Sequence, residues 1–210
     1  MITDMSAKPR AASVPARLVR LFGGLLLFGF AAALMVRGNL GLDPWDAFHQ
    51  GLARQLHVSI GTVTVGISAL VLLLWIPLRQ RPGFGTISNA VLVGIAIDAS
   101  LAILPVPHHL LLRFAYLATG IVLTAIATGL YVGAAFGPGP RDGLMTGLAA
   151  HGIPIAVART AIELSVLAAG YFLGGSVGIG TVIFAVTIGP LVHYFLPRLS
   201  VTRPTGAHHD

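Results

Sequence analysis

Gly41-Leu-Asp-Pro-Trp-Asp46, running on to Gly51-Leu-Ala53, lines up without a gap on Gly137-Pro-Gly-Pro-Arg-Asp142, running on to Gly147-Leu-Ala149. Further along, Gly83-Phe-Gly-Thr86 through Gly94 lines up on Gly178-Ile-Gly-Thr181 through Gly189, with the offset changed by one residue. A shared bias towards Gly and Ala supplies matching glycines. It does not supply matching Pro, Asp and Thr in the same order, so the chain reads as two copies of one unit.

Apolar runs surround these motifs, at 18–36, 60–78, 86–104, 110–132, 155–173 and 181–196. Each approaches the roughly 20 residues that cross about 30 Å of hydrocarbon. The runs are continuous and not alternating, which predicts helices and not a barrel. Breakers separate them, among them Gly-Asn at 38–39, Pro-Val-Pro at 105–107 and Gly-Gly at 174–175. Only 10% of the residues are charged while 55% are hydrophobic. A water-soluble domain carries roughly 25% charged residues to solvate its exterior, so most of this exterior must face lipid.

Each unit is then span, short segment, span, Gly-x-Gly-Thr turn, span. Three spans per unit is an odd number, so the second copy enters the bilayer from the opposite side. The expected fold is all-α and polytopic: six transmembrane helices as two inverted three-helix repeats, each with a short interfacial or re-entrant helix. The domains follow as a cytoplasmic N-terminal tail at 1–17, membrane repeat one at 18–104, membrane repeat two at 110–197 and a cytoplasmic C-terminal tail at 198–210.

Charge sets the orientation. With both termini cytoplasmic, the inner segments hold Lys8, Arg10, Arg17, Arg20, Arg79, Arg81, Arg141, Arg198 and Arg203, and the outer ones only Arg37, Arg54 and Arg113. That asymmetry satisfies the positive-inside rule. The first run has the shape of a signal peptide, but Arg37-Gly38-Asn39 follows it where a small-x-small cleavage site would stand, so it is read as a retained span. The net charge of +6 is scattered singly between apolar runs, which argues against nucleic acid as a partner. Cysteine is absent, removing thiol chemistry. His108-His109 has no third ligand nearby and His208-His209-Asp210 reads as a terminal tail, so no metal and no cofactor is expected.

The pattern resembles the YczE/YitT-like family of bacterial integral membrane proteins. The resemblance rests on the two Pro-x-Asp motifs, Pro82-Gly-Phe-Gly-Thr86, Arg159 with Glu163, and Gly174-Gly-Ser-Val-Gly-Ile-Gly-Thr181, and it covers the chain from about Phe22 to Pro197. It implies a multi-pass protein of the bacterial plasma (inner) membrane and brings no substrate or catalytic residue with it.

Several residues carry possible chemistry. Pro44 and Pro140 open short helices, capped by Asp43 or Gly139, with Asp46 and Asp142 at the third position. On the first of these helices Trp45, Phe48, Leu52 and Leu56 form one face, with Asp46 elsewhere, as suits an interfacial or re-entrant helix. The motifs serve as plain caps, or they aim two helix N-termini at a midplane site as broken helices do in transporters. Thr86 and Thr181 open spans three and six on glycine turns, either as turns alone or as anion-accepting helix ends. Ionisable groups within spans are costly and mark candidate sites. Asp98 aligns on His193, a carboxylate and an imidazole that would face one another across the pseudo-two-fold axis. Arg159 and Glu163 stand one turn apart in span five, in one copy only, either as an internal ion pair or as a substrate clamp.

These residues suggest a small-molecule transporter or permease with Asp98, Arg159, Glu163 and His193 as its substrate site. The alternatives are the substrate-binding membrane subunit of a larger uptake complex, or a non-transporting assembly or regulatory protein. An enzyme is not expected, since no Ser-His or paired-Asp arrangement and no cofactor fingerprint is present. The expected partners are the lipid bilayer, a small-molecule or ion substrate, and a second copy or a partner subunit.

Overall fold

The computed structural model describes residues 13–201. Lys8, Arg10, Arg203, the tail 208–210 and most of the two terminal tails lie outside the described residues. Among those described there are eight helices and no strand: α1 (Val14–Gly38), α2 (Pro44–Leu56), α3 (Ile60–Leu74), α4 (Phe84–Ile103), α5 (Leu110–Gly133), α6 (Pro140–Ala150), α7 (Ile155–Phe172) and α8 (Ile179–Leu199). Five of them (α1, α4, α5, α7 and α8) are long and apolar enough to cross a membrane. Their outward side chains are large and apolar, with Phe172 84% and Leu111 83% exposed.

The second expected span is altered. An unbroken helix across 60–78 is not formed: α3 has only 15 residues, about 22 Å at 1.5 Å per residue. It meets α2 at a bend of 112°, and the two make a sixth span only if taken together. The apolar run misleads here because Trp75 leaves the helix axis to pack against α6. Its indole N–H donates to the Pro140 carbonyl at 3.1 Å, and the chain turns back through Arg79 at φ 52°.

Antiparallel α1 and α5 form the centre. In lipid the hydrophobic effect does not drive helices together, and close packing of small residues does. Ala31 and Ala127, whose backbones lie against Gly120 and Gly24 across this seam, are fully buried. A Cβ on Gly120 would stand 2.6 Å from Met35 Cγ and 2.9 Å from the Ala31 carbonyl oxygen, so only glycine permits the approach. The two helices also end alike. Arg113 Nε donates to the Gly38 carbonyl at 2.8 Å, and Arg17 Nε donates to the Ala134 carbonyl at 2.9 Å. A guanidinium on the last carbonyls satisfies groups left open by the helix and complements its negative end. Asn39 and Ala135 then take left-handed backbone, at φ 47° and 57°.

Each glycine turn holds the segment after the opposite long helix. Gly85 N–H donates to the Phe136 carbonyl at 2.9 Å and Gly180 N–H to the Leu40 carbonyl at 2.8 Å. Gly41 and Gly137 stand at φ 121° and 114°, where an L side chain would be strained and would also run into Thr181 and Thr86 respectively. Thr86 Oγ1 donates to the Pro138 carbonyl at 2.7 Å and accepts from the Gly83 N–H at 3.1 Å. Thr181 Oγ1 accepts from the Gly178 N–H at 3.2 Å. Both threonines therefore close turns.

The contact of α3 with α4 is not repeated. α3 packs along α4, whereas α7 stays apart from α8. A Cβ on Gly94 would lie 2.5 Å from the Gly61 carbonyl oxygen, while one on the aligned Gly189 meets nothing within 4 Å.

Candidate functional site

The separation of α7 from α8 leaves a cavity of about 730 Å³ to which all eight helices contribute. The starts of both short helices line it, with Pro44 and Trp45 from α2 and Pro140, Arg141 and Asp142 from α6. On α2, Pro44 supplies a pre-set φ and lacks the N–H that would be unpaired there. Asp43 caps the helix by accepting from the N–H groups of Trp45 and Asp46 at 3.0 and 3.1 Å. On α6 the cap is Gly139, which has no side chain to do the same.

The amphipathic reading of α2 holds in part: Trp45 is buried and Arg54 and Gln55 are exposed, but two residues depart from it. Leu56, on the expected apolar face, is exposed, while Asp46 is 2% and His49 is 1% exposed. Asp46 turns inward to meet a cation from α6. Arg141 reaches across from α6 to Asp46 Oδ1 at 3.3 Å and Asp43 Oδ1 at 3.8 Å, and its guanidinium stands 5.2 Å from the centroid of the Trp45 ring. One guanidinium thus serves two carboxylates and an aromatic face. His49 Nδ1 lies 3.1 Å from Thr64 Oγ1. Asp46 Oδ2, His49 Nε2 and the Trp45 indole N–H have no hydrogen-bond partner among the described residues.

Arg159, Glu163 and His193 all line the cavity. Arg159 Nε donates to Glu163 Oε1 at 2.9 Å along α7. Asp98 does not line it: its carboxylate accepts from Ser59 Oγ at 2.6 Å and the Gly61 N–H at 2.8 Å, closing the start of α3 against α4. The sequence match of Asp98 with His193 therefore joins a closed contact in one half to an open one in the other. It does not join two faces of one site.

Arg141, Tyr131 and His49 are the residues the sequence reading passed over. Arg141 counted there only as an inner positive charge. The signal available was its place in the repeat, where the Pro-x-Asp motifs carry Trp45 in one copy and Arg141 in the other. Tyr131 looked like a span residue, yet its hydroxyl donates to Asp142 Oδ2 at 3.0 Å at the cavity wall.

Aligned positions supply the lining in pairs: Phe28 with Thr124, Trp45 with Arg141, Thr64 with Arg159, Ser68 with Glu163, and Asn89 with Phe184. The two members of each pair differ in chemistry. Charges and hydroxyls set among apolar walls, within a bundle of long apolar helices, define a polytopic membrane protein with a polar chamber. Residues 15–197 match the family of unknown function DUF6198, and the chain belongs to that family. It is 39% identical over 177 residues to an uncharacterized protein of Haemophilus influenzae, covering 84% of this chain and 81% of that one. It is 33% identical over 180 residues to the uncharacterized membrane protein YczE of Bacillus subtilis, covering 84% of each. The uncharacterized protein YyaS of the same organism is 28% identical over 181 residues, with 83% of this chain and 89% of that one covered. No solved structure matches significantly.

Proposed function

We propose that the protein is a small-molecule transporter of the bacterial inner membrane, built as two inverted repeats around a central site. The observation that carries this reading is the unequal state of two matched helix pairs. α3 is closed on α4 through Gly61, Gly94 and the Asp98 cap, whereas α7 and α8 are apart and open the chamber. In an inverted repeat these pairs lie towards opposite faces of the membrane. Closing one and opening the other exchanges access from side to side with little change elsewhere.

The inverted relation is supported by reciprocal contacts. Arg17 treats the end of α5 as Arg113 treats the end of α1, and each glycine turn grips the segment after the other copy's long helix. With the termini cytoplasmic, as the charge asymmetry favours, the open pair faces inward. The starts of α2 and α6 approach the pseudo-axis from opposite sides, with Arg141 bridging them.

Purified protein in liposomes is expected to move a solute down an imposed gradient. Glu163→Gln is expected to slow the flux at least about tenfold, the usual scale for losing a charge-assisted contact. Asp98→Asn, which keeps an oxygen for the α3 cap, is expected to retain it. Binding without flux would instead favour a capturing subunit that depends on a partner, and flux lost only in Asp98→Asn would remove the chamber from the mechanism.

A further inference from the structure

The chamber's charges are unequally matched. Its lining includes the carboxylates of Asp43, Asp142 and Glu163 against the guanidiniums of Arg141 and Arg159. Arg159 is taken by Glu163. Arg141 is shared by Asp43 and by Asp46 behind it. Asp142 has no basic group within 4 Å among the described residues, and its one side-chain partner is the neutral Tyr131 hydroxyl. It is not spent on the helix end either, since α6 has no side-chain cap hydrogen bond. Asp142 is exposed to the chamber that it lines, so its carboxylate is accessible to a ligand.

The aligned position shows how such a carboxylate is satisfied in this chain. Asp46 corresponds to Asp142, and a cation rests on it, held also against the Trp45 ring. That cation is Arg141, the residue that aligns on Trp45. The exchange of Trp for Arg fills one half of the chamber with the chain's own guanidinium and leaves the other half unfilled. Trp45 lines the same space and is 6% exposed. Phe28 and Phe184 add aromatic wall. No group of three His, Asp or Glu suited to a metal ion occurs among the described residues, so the donor set suits an organic cation better than a metal.

We infer that the chamber binds a hydrophobic organic cation, with Asp142 as counter-ion, Tyr131 orienting that carboxylate and aromatic walls around the charge. This rests on the transporter reading and names its substrate class. The gap between α7 and α8 suits a molecule of that kind, because its α8 side carries the apolar Ile188, Val192 and Leu196 while its α7 side carries the Arg159–Glu163 pair.

The test is equilibrium binding of tritiated tetraphenylphosphonium to the full chain in detergent, with tetraphenylborate as a competitor of the same shape and opposite charge. Saturable binding is expected, weakened about tenfold or more in Asp142→Asn and largely kept in Asp142→Glu, with no competition by the borate. Equal binding by a monodisperse, helical Asp142→Asn protein would overturn the inference, as would competition by the anion or the lack of saturable cation binding. Flux plays no part in this experiment. A chain that binds the cation but moves nothing contradicts transport alone, and one that moves solutes but prefers the anion contradicts the cation site alone.

Discussion

Arg141 shows how far a single position can be read from sequence. As a lone arginine after a Gly-Pro-Gly-Pro segment it looks like a topology charge, and burial of its partners is what reveals its role. Asp46 is shut away from solvent with one oxygen on this guanidinium and the other unpartnered. Removing one member of such a group leaves an uncompensated buried charge, at a cost of about 3–5 kcal/mol, whereas neutralising both is far milder. Arg141→Gln is therefore expected to lower the unfolding midpoint in detergent strongly, and Asp46→Asn added to it is expected to recover part of the loss. A double-mutant cycle with a coupling energy near zero would show that the contact does not hold α6 to α2. Asp98 teaches the opposite lesson. Its position inside a span suggested a site, but the capping need of a neighbouring helix start, created by the bend at 57–59, was invisible in a one-dimensional pattern.

At the level of elements, the local rules performed well where they depend on chain geometry alone. Pro44 and Pro140 begin α2 and α6, and the turns at Gly83 and Gly178 begin α4 and α8 as expected. They failed where tertiary contact overrides periodicity. The apolar run at 60–78 divides at Trp75 because α6 offers a carbonyl to its indole, and Asp46 of α2 turns inward because α6 offers a cation. The helix pairs α3–α4 and α7–α8 give a sharp test. Gly94→Leu forces a side chain into the Gly61 backbone and is expected to destabilise the fold by about 2 kcal/mol or more, by overpacking. Gly189→Leu meets open space, so the fold is expected to survive, and the bulk should obstruct closure of α7 on α8. Comparable thermal losses in the two variants would mean that α7 and α8 are packed in the membrane.

At the scale of the whole molecule, the repeated motifs were legible because cap and turn residues are fixed by backbone geometry, and both sets begin helices in the structure. The chamber was not, since most of its charged and hydroxyl lining lies at positions where the two segments differ and only folding brings them together. The proposed mechanism requires the two helix pairs to exchange roles, and spin labels can observe this without knowing the substrate. The chain contains no cysteine, so pairs can be introduced cleanly at exposed positions: Val58 with Ile103 beside α3 and α4, and their aligned partners Ile153 with Arg198 beside α7 and α8. The decisive measurement is the distance distribution of each pair in lipid nanodiscs by double electron–electron resonance. The account predicts a dominant short distance for the first pair and, for the second, a dominant long distance with a minor population at the short one. A single unchanging distance in each pair, with and without added cation, would contradict alternating access.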